Sequence, residues 1–280
     1  MRKNKKRRIY RQLFRWCFFL IMVFCITFLL AGGTALFSPK TWQHAGDFLP
    51  KLESRLPAIQ QPDMPLSVST TDRLSRMVFI KRAVDARIDK EHYVKLSDIP
   101  SDMQKAIIAV EDNRFYSHHG FDVESIIRAT LVNLQYGQIE EGASTITQQL
   151  VKNLFLSHEQ SFGRKGEELL LALDMEANYS KEEILELYLN TIYYGSNFYG
   201  IGPATEGYFG KQPREMQLPE CAMLAGLPNA PSLYSPYVDF MLAKKRQFVV
   251  LDAMVRNGCI DSTTAESAKI KPLYLAKGSQ

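Results

Sequence analysis

At 280 residues, 46% of them hydrophobic and 23% charged, the chain has the composition of a folded protein rather than a disordered one, and is long enough for one sizeable core. Its formal charge of +4 is unevenly spread: residues 1–15 carry Arg2, Lys3, Lys5, Lys6, Arg7, Arg8, Arg11 and Arg15 and no acid, which leaves residues 16–280 at net −4. A body of that sign excludes a protein that wraps nucleic acid by counterion release.

The first predicted element follows the basic tail. Trp16 to Phe37 contains no charged residue over 22 positions, and roughly 20 apolar residues cross a bilayer core as a helix. A cleaved signal peptide is the competing reading, because Ala31, Gly32, Gly33 and Ala35 are small, but signal cores run only about 7–15 residues. The Lys and Arg cluster ahead of the span holds the N-terminus in the cytoplasm, so the chain beyond about residue 38 faces outward. Pro39, Pro50, Pro57, Pro62 and Pro65, followed by the polar run Ser67 to Thr71, read as a linker. The predicted organisation is therefore a basic cytoplasmic tail (1–15), a transmembrane helix (16–37), an extracytoplasmic linker (38–72) and one folded domain (73–280).

Met77 to Ile80 is the main strand signal, and the rest of the domain has helical periodicity. Asp102 is placed to cap a helix through Val110, Asp122 one carrying Ile126, Ile127, Leu131 and Leu134, and Ser144 a third. Arg164 to Ala177 is apolar-rich, Ser180 and Glu183 form a capping box for a helix to about Thr191, and Pro236 to Asn257 reads as a long helix stopped by Gly258. Tyr208, Phe209 and Leu224 to Leu227 read as packing residues. Of four cysteines, Cys17 and Cys25 lie in the apolar span, and no C-x-x-C pair or His/Cys cluster supports a zinc site. Pairing of Cys221 with Cys259 is left open. The fold class is mostly α.

Three segments carry chemistry-bearing residues. Glu111 and Asp112 close the apolar run Ala106 to Val110 and precede Phe115 and His118. A carboxylate at such an edge is partly desolvated, which raises its pKa and suits it to general-base work; acids closing an exposed helix end are the plain alternative. In G-A-S-T-I-T-Q-Q-L-V-K-N, residues 142–153, helical spacing puts Thr145, Gln148, Gln149 and Lys152 on one face and Ile146, Leu150 and Leu154 on the other. A face of hydroxyl, amides and ammonium suits a sugar-and-phosphate cleft as well as it suits plain solvation. Arg164 and Glu168 are one turn apart in R-K-x-x-E, a spacing that gives either a surface ion pair worth about 0.3–0.5 kcal/mol or, with Lys165, a site for a pyrophosphate leaving group.

In this order and spacing the motifs E-D-x-x-F-x-x-H-x-G (Glu111 to Gly120), G-A-S-T-I-T-Q-Q-L-x-K-N (Gly142 to Asn153), R-K-x-x-E (Arg164 to Glu168) and I-L-E-L-Y-L-N (Ile184 to Asn190) resemble the peptidoglycan glycosyltransferase family (glycosyltransferase family 51), in its monofunctional biosynthetic transglycosylase branch. The resemblance runs from about Ile99 to Ala268. Ala143 stands where that family usually has glycine, and Ala204-Thr205 replaces a common Ala-Ala pair.

The resemblance implies a lysozyme-like helical domain that polymerises lipid II, the undecaprenyl-pyrophosphate-linked disaccharide pentapeptide, into glycan strands with inversion at the anomeric carbon. It implies catalytic roles for Glu111 and Glu168, and substrate contacts for Asp112, Phe115, His118, Ser144, Thr145, Gln148, Gln149, Lys152, Asn153, Arg164 and Lys165. Lipid II, the growing strand, the cytoplasmic membrane and wall-synthesis or cell-division proteins are the expected partners. A divalent cation, magnesium or manganese, is compatible with this chemistry, though no ligand spacing demands one. No serine has lysine three positions later, so no transpeptidase activity is expected. Two rivals remain: a muramidase, which a single catalytic glutamate also suits, and a scaffold without chemistry. The cations at 152, 164 and 165 favour a phosphate leaving group over hydrolysis, and the full set of motif acids and bases argues against a scaffold.

Overall fold

A computed structural model describes residues 80–136, 142–156 and 162–276, the side chains at 136 and 162–164 excepted. The expected tail, membrane span and linker, and the expected domain start near Arg73, lie outside these residues. Among the described residues no helix is long and apolar enough to cross a membrane.

The described chain is helical, with only isolated bridges at His119–Phe121 and Tyr193–Tyr199 in place of strands. Ile80, expected at the end of a strand, instead opens α1 (Ile80–Asp85), while residues 77–79 lie outside the description. Two helix groups build the domain. In the first, α2 (Ser101–Glu111) buries Met103, Ala106 and Ile107 at helical spacing. α8 (Leu218–Gly226) is apolar almost all round and buried from Pro219 to Gly226, as expected of a central helix. α10 (Phe240–Arg256) adds Ala243, Val250, Leu251 and Met254. These three pack against one another.

In the second group, α4 (Ile146–Phe155) packs on both α5 (Phe162–Asn178) and α6 (Lys181–Thr191). The exposed helix α3 (Val123–Tyr136) lies between α2 and α4 in sequence, and α7 (Ile201–Phe209) and α9 (Pro231–Tyr234) complete the connections to α8 and α10. Each fully buried large apolar side chain contributes roughly 1.5–3 kcal/mol, and Tyr208, Phe209, Leu224, Ala225 and Leu227 are all buried, as their sequence predicts.

Helix starts agree with the sequence where one hydroxyl or carboxylate has no competitor. Ser180 and Glu183 form the expected box, and Asp122 accepts from the Glu124 N–H at 3.0 Å. Three starts differ. α2 begins after Pro100, with Asp102 in its first turn, where a negative charge favours the helix dipole without capping it. α4 is capped by Thr145 and not Ser144. α10 begins at Phe240, because Asp239 is an extended cap that accepts from the N–H groups of Met241 and Leu242 and residues 236–238 form a turn. Its expected stop holds: Gly258 has φ +68°.

Candidate active site

Glu111 is the last residue of α2, so its carboxylate sits at the negative end of the helix dipole, behind a buried apolar stretch. Its side chain is only 9% exposed. Oε2 accepts a hydrogen bond from Gln149 Nε2 at 2.9 Å, and Gln149 Oε1 in turn accepts from the Tyr188 hydroxyl at 3.0 Å. Arg246 Nη2 lies 4.0 Å from Oε1, an oxygen that accepts no hydrogen bond from the described residues. Burial pushes the Glu111 pKa up, the Asp112 charge adds to the rise, and the Gln149 hydrogen bond and Arg246 charge oppose it. The expected desolvated carboxylate is therefore present, and it lies where the two helix groups meet.

The first two motifs form one structural unit. Asp112 Oδ2 accepts from His118 Nε2 at 2.9 Å and from the Ile146 backbone N–H at 3.0 Å, which ties the turn after α2 to the start of α4. The Thr145 hydroxyl donates to the Gly120 carbonyl at 2.7 Å while accepting from the Gln148 N–H, and Gln148 Oε1 accepts from the Thr145 N–H. Gly120 has φ +81°, and a Cβ there would lie 3.0 Å from the Ala172 backbone on α5, so only glycine lets the turn approach that closely. Thr145 and Gln148 are consequently buried and spent on the helix cap, and the predicted common face with Gln149 and Lys152 is corrected: it consists of Gln149, Lys152 and Asn153. Phe115, Asp112 and His118 are also buried; the geometry gives them support of the turn, with Lys181 Nζ 4.5 Å from the Phe115 ring centroid.

The third motif lies on α5. Glu168 is 3% exposed and pairs with Lys165 one turn earlier, an i,i+3 pair. Arg164 is in the first turn of α5, and its side chain lies outside the description. Glu168, Ala172 and Glu176 follow at four-residue steps. Ala172 meets Gly120 and Glu176 accepts from the Thr147 hydroxyl at 2.7 Å, so this stripe meets the Gly120 turn and the start of α4, and Glu168 is buried on the same side of α5 by spacing. Ser144, Lys152 and Asn153 are exposed.

Two residues at the site were not predicted. Tyr188 lies within the fourth motif, where its hydroxyl on an otherwise apolar helix face was a usable signal. Arg246 gave no sequence signal, because a basic residue in Lys244-Lys245-Arg246 reads as a solvated face. Cys221 and Cys259, left open above, are both free thiols. Among the described residues no group of three His, Cys, Asp or Glu side chains is arranged to hold a metal ion, so they offer a divalent cation no protein cage.

The transglycosylase family profile matches residues 79–255. Penicillin-binding protein 1A of Neisseria flavescens is 41% identical over 227 residues, covering 80% of this chain and 27% of the relative. Penicillin-binding protein 1A of Aquifex aeolicus is 45% identical over 190 residues, covering 68% of this chain and 26% of the relative. A crystal structure of penicillin-binding protein 1A from Haemophilus influenzae is similar at 26% identity and a TM-score of 0.41, over 67% of this chain and 18% of that one. The chain thus spans between about a quarter and a third of the length of the curated relatives it matches.

Proposed function

The chain belongs to the transglycosylase family, and from that premise we propose that it is a peptidoglycan glycosyltransferase that joins lipid II into glycan strands at the outer face of the cytoplasmic membrane. Its domain is of the lysozyme-like helical kind, held to the membrane by a single span at 16–37 with the N-terminus in the cytoplasm. Val123, Ile126, Ile127, Leu131 and Leu134 expose a continuous apolar strip on α3, which supports a cleft that opens at the bilayer, where the polyprenyl chain stays.

In the proposed reaction the 4-hydroxyl of the incoming disaccharide attacks the anomeric carbon of the strand from the face opposite its pyrophosphate. Glu111 takes the hydroxyl proton, the new glycosidic bond forms with inversion, and the bond to the pyrophosphate oxygen breaks. Lys152 holds the phosphates of the bound donor, Arg164 and Lys165 receive the departing charge, which cations stabilise more in the transition state than in the ground state, and Glu168 orients Lys165. The Ser144 hydroxyl and the Asn153 amide hold sugar hydroxyls, and the Gln149 amide holds Glu111 in place. The observation that carries this reading is the desolvated Glu111 carboxylate at the head of a helix face continuing through Gln149 to Lys152 and Asn153.

The full chain incubated with labelled lipid II in detergent should yield high-molecular-weight glycan that a muramidase digests. Absence of polymer, or solubilisation of intact peptidoglycan sacculi by the protein itself, would overturn the reading. Lys152→Ala should raise KM for the lipid-pyrophosphate substrate about tenfold, the size of one charge-assisted contact. Because Lys152 is exposed, its unfolding free energy should stay within about 0.5 kcal/mol of wild type. An unchanged KM would remove Lys152 from the site.

A further inference from the structure

The two oxygens of Glu111 are treated differently by the fold. Oε2 is hydrogen-bonded by Gln149, and the Tyr188 hydroxyl holds the other end of that amide. Were the amide turned round, its carbonyl would face the carboxylate, and the Tyr188 proton would lose its acceptor. Tyr188 is wholly buried and burial holds its phenol well above the usual range, so it stays a donor. Oε2 is therefore committed. Oε1 is buried without a hydrogen bond from the described residues and faces Arg246 at 4.0 Å, too far for one.

That distance is set by the surroundings of Arg246. Its Nε donates to the Gly226 carbonyl at 3.3 Å, and its guanidinium carbon lies 5.6 Å from the Tyr234 ring centroid. The side chain passes over Gly226 so closely that a Cβ there would lie 2.8 Å from Arg246 Cγ. The guanidinium is anchored beside the carboxylate, close enough to favour its ionised form and too far to occupy a lone pair.

We infer that Tyr188 and Arg246 are positioning residues for the general base: Tyr188 fixes Oε2 through Gln149, and Arg246 faces Oε1 across a gap and favours the ionised carboxylate without occupying it. The inference rests on the reaction proposed above. Among the described residues, the charged and titratable groups acting around Glu111 are Asp112 from the adjoining turn, itself engaged by His118 and the Ile146 N–H, Tyr188 from α6, and Arg246 from α10.

The test is the pH dependence of kcat and KM on lipid II for Arg246→Gln, Arg246→Lys and Tyr188→Phe, with melting curves to establish folding. Loss of a cation about 4 Å from a carboxylate raises that carboxylate's pKa by about one unit or more. The acid limb of the Arg246→Gln kcat profile should therefore move to higher pH by about one unit, with activity recovering as pH rises, and Arg246→Lys should move it back. Tyr188→Phe, which deletes one oxygen and keeps the packing, should lower kcat about tenfold at unchanged KM, the loss of one orienting hydrogen bond. A raised KM with an unmoved acid limb in Arg246→Gln would make Arg246 a substrate contact and overturn its role, and wild-type kcat in Tyr188→Phe would overturn that of Tyr188. Glu111→Gln assayed alongside separates the two levels. If it is active, the base assignment itself falls; if it is inactive while the positioning variants behave like wild type, only this inference does.

Discussion

Glu111→Gln is expected to lower the rate of glycan polymerisation by about 10² to 10⁴, the usual contribution of a general base, while leaving the protein folded. The amide has the shape of the carboxylate and its oxygen can still accept from Gln149 Nε2, so the link between the end of α2 and α4 survives, but it takes no proton at neutral pH. The same substitution has a stability signature of definite sign. Burial raises the folded-state pKa of Glu111 above its unfolded value, so the folded protein carries a penalty for the ionised form. The penalty is absent below the unfolded carboxylate pKa of about 4.3, grows as pH rises toward the folded-state pKa, and is constant above it. The glutamine variant should then melt at or above the wild-type temperature at pH 8, with the difference shrinking as pH falls toward 4. Polymerisation above a tenth of the wild-type rate would sink the base assignment. A variant destabilised more at pH 8 than at pH 4 would contradict the desolvated carboxylate.

The parts of this site that the sequence disclosed are those that depend on local spacing. The apolar run behind Glu111 and the Ser180–Glu183 box are set by neighbours a few residues away and stand in the structure as expected, and the helix expected through Val110 ends one residue later, at Glu111. The four ordered motifs likewise marked the segments that meet. What periodicity could not give was the side of a helix on which a polar residue is used. Thr145 and Gln148 have the spacing of a solvent face with Gln149 and Lys152, yet the cap at Thr145 and its bond to Gly120, 25 residues earlier, turn both inward. The same holds for Asp112 and His118, whose partners are each other and the backbone N–H of Ile146. Arg246 reaches Glu111 only because α8 brings Gly226 under its side chain, a tertiary contact with no trace in local composition. The apolar positions of α3 were legible as a stripe, but an amphipathic pattern points to a face packed on the core and gave no sign that this one is exposed.

Asp112→Ala should have the largest effect on stability, about 2–4 kcal/mol, because it removes the acceptor of two hydrogen bonds at once and leaves both donors buried. His118 Nε2 and the Ile146 N–H both end on Asp112 Oδ2, at 2.9 and 3.0 Å, and Asp112 and His118 are 8% and 7% exposed. Neither donor has water within easy reach once the carboxylate is gone. For a domain of this size the loss corresponds to a fall in Tm of about 5–15 °C. Asp112→Asn should lose less, since its carbonyl in the place of Oδ2 can keep the Ile146 N–H, while its amide group replaces Oδ1, which lies 3.1 Å from His118 Nε2, and compromises the His118 bond alone. Activity should fall further than stability alone explains in both variants, because the turn held by Asp112 begins one residue after Glu111 and a displaced base loses its alignment with the hydroxyl it serves. Thermal melts and polymerisation rates measured together decide the matter. An alanine variant as stable as wild type would show that the Asp112 bonds do not hold the turn, and an asparagine variant as unstable as alanine would show that His118, rather than the start of α4, is the partner that matters.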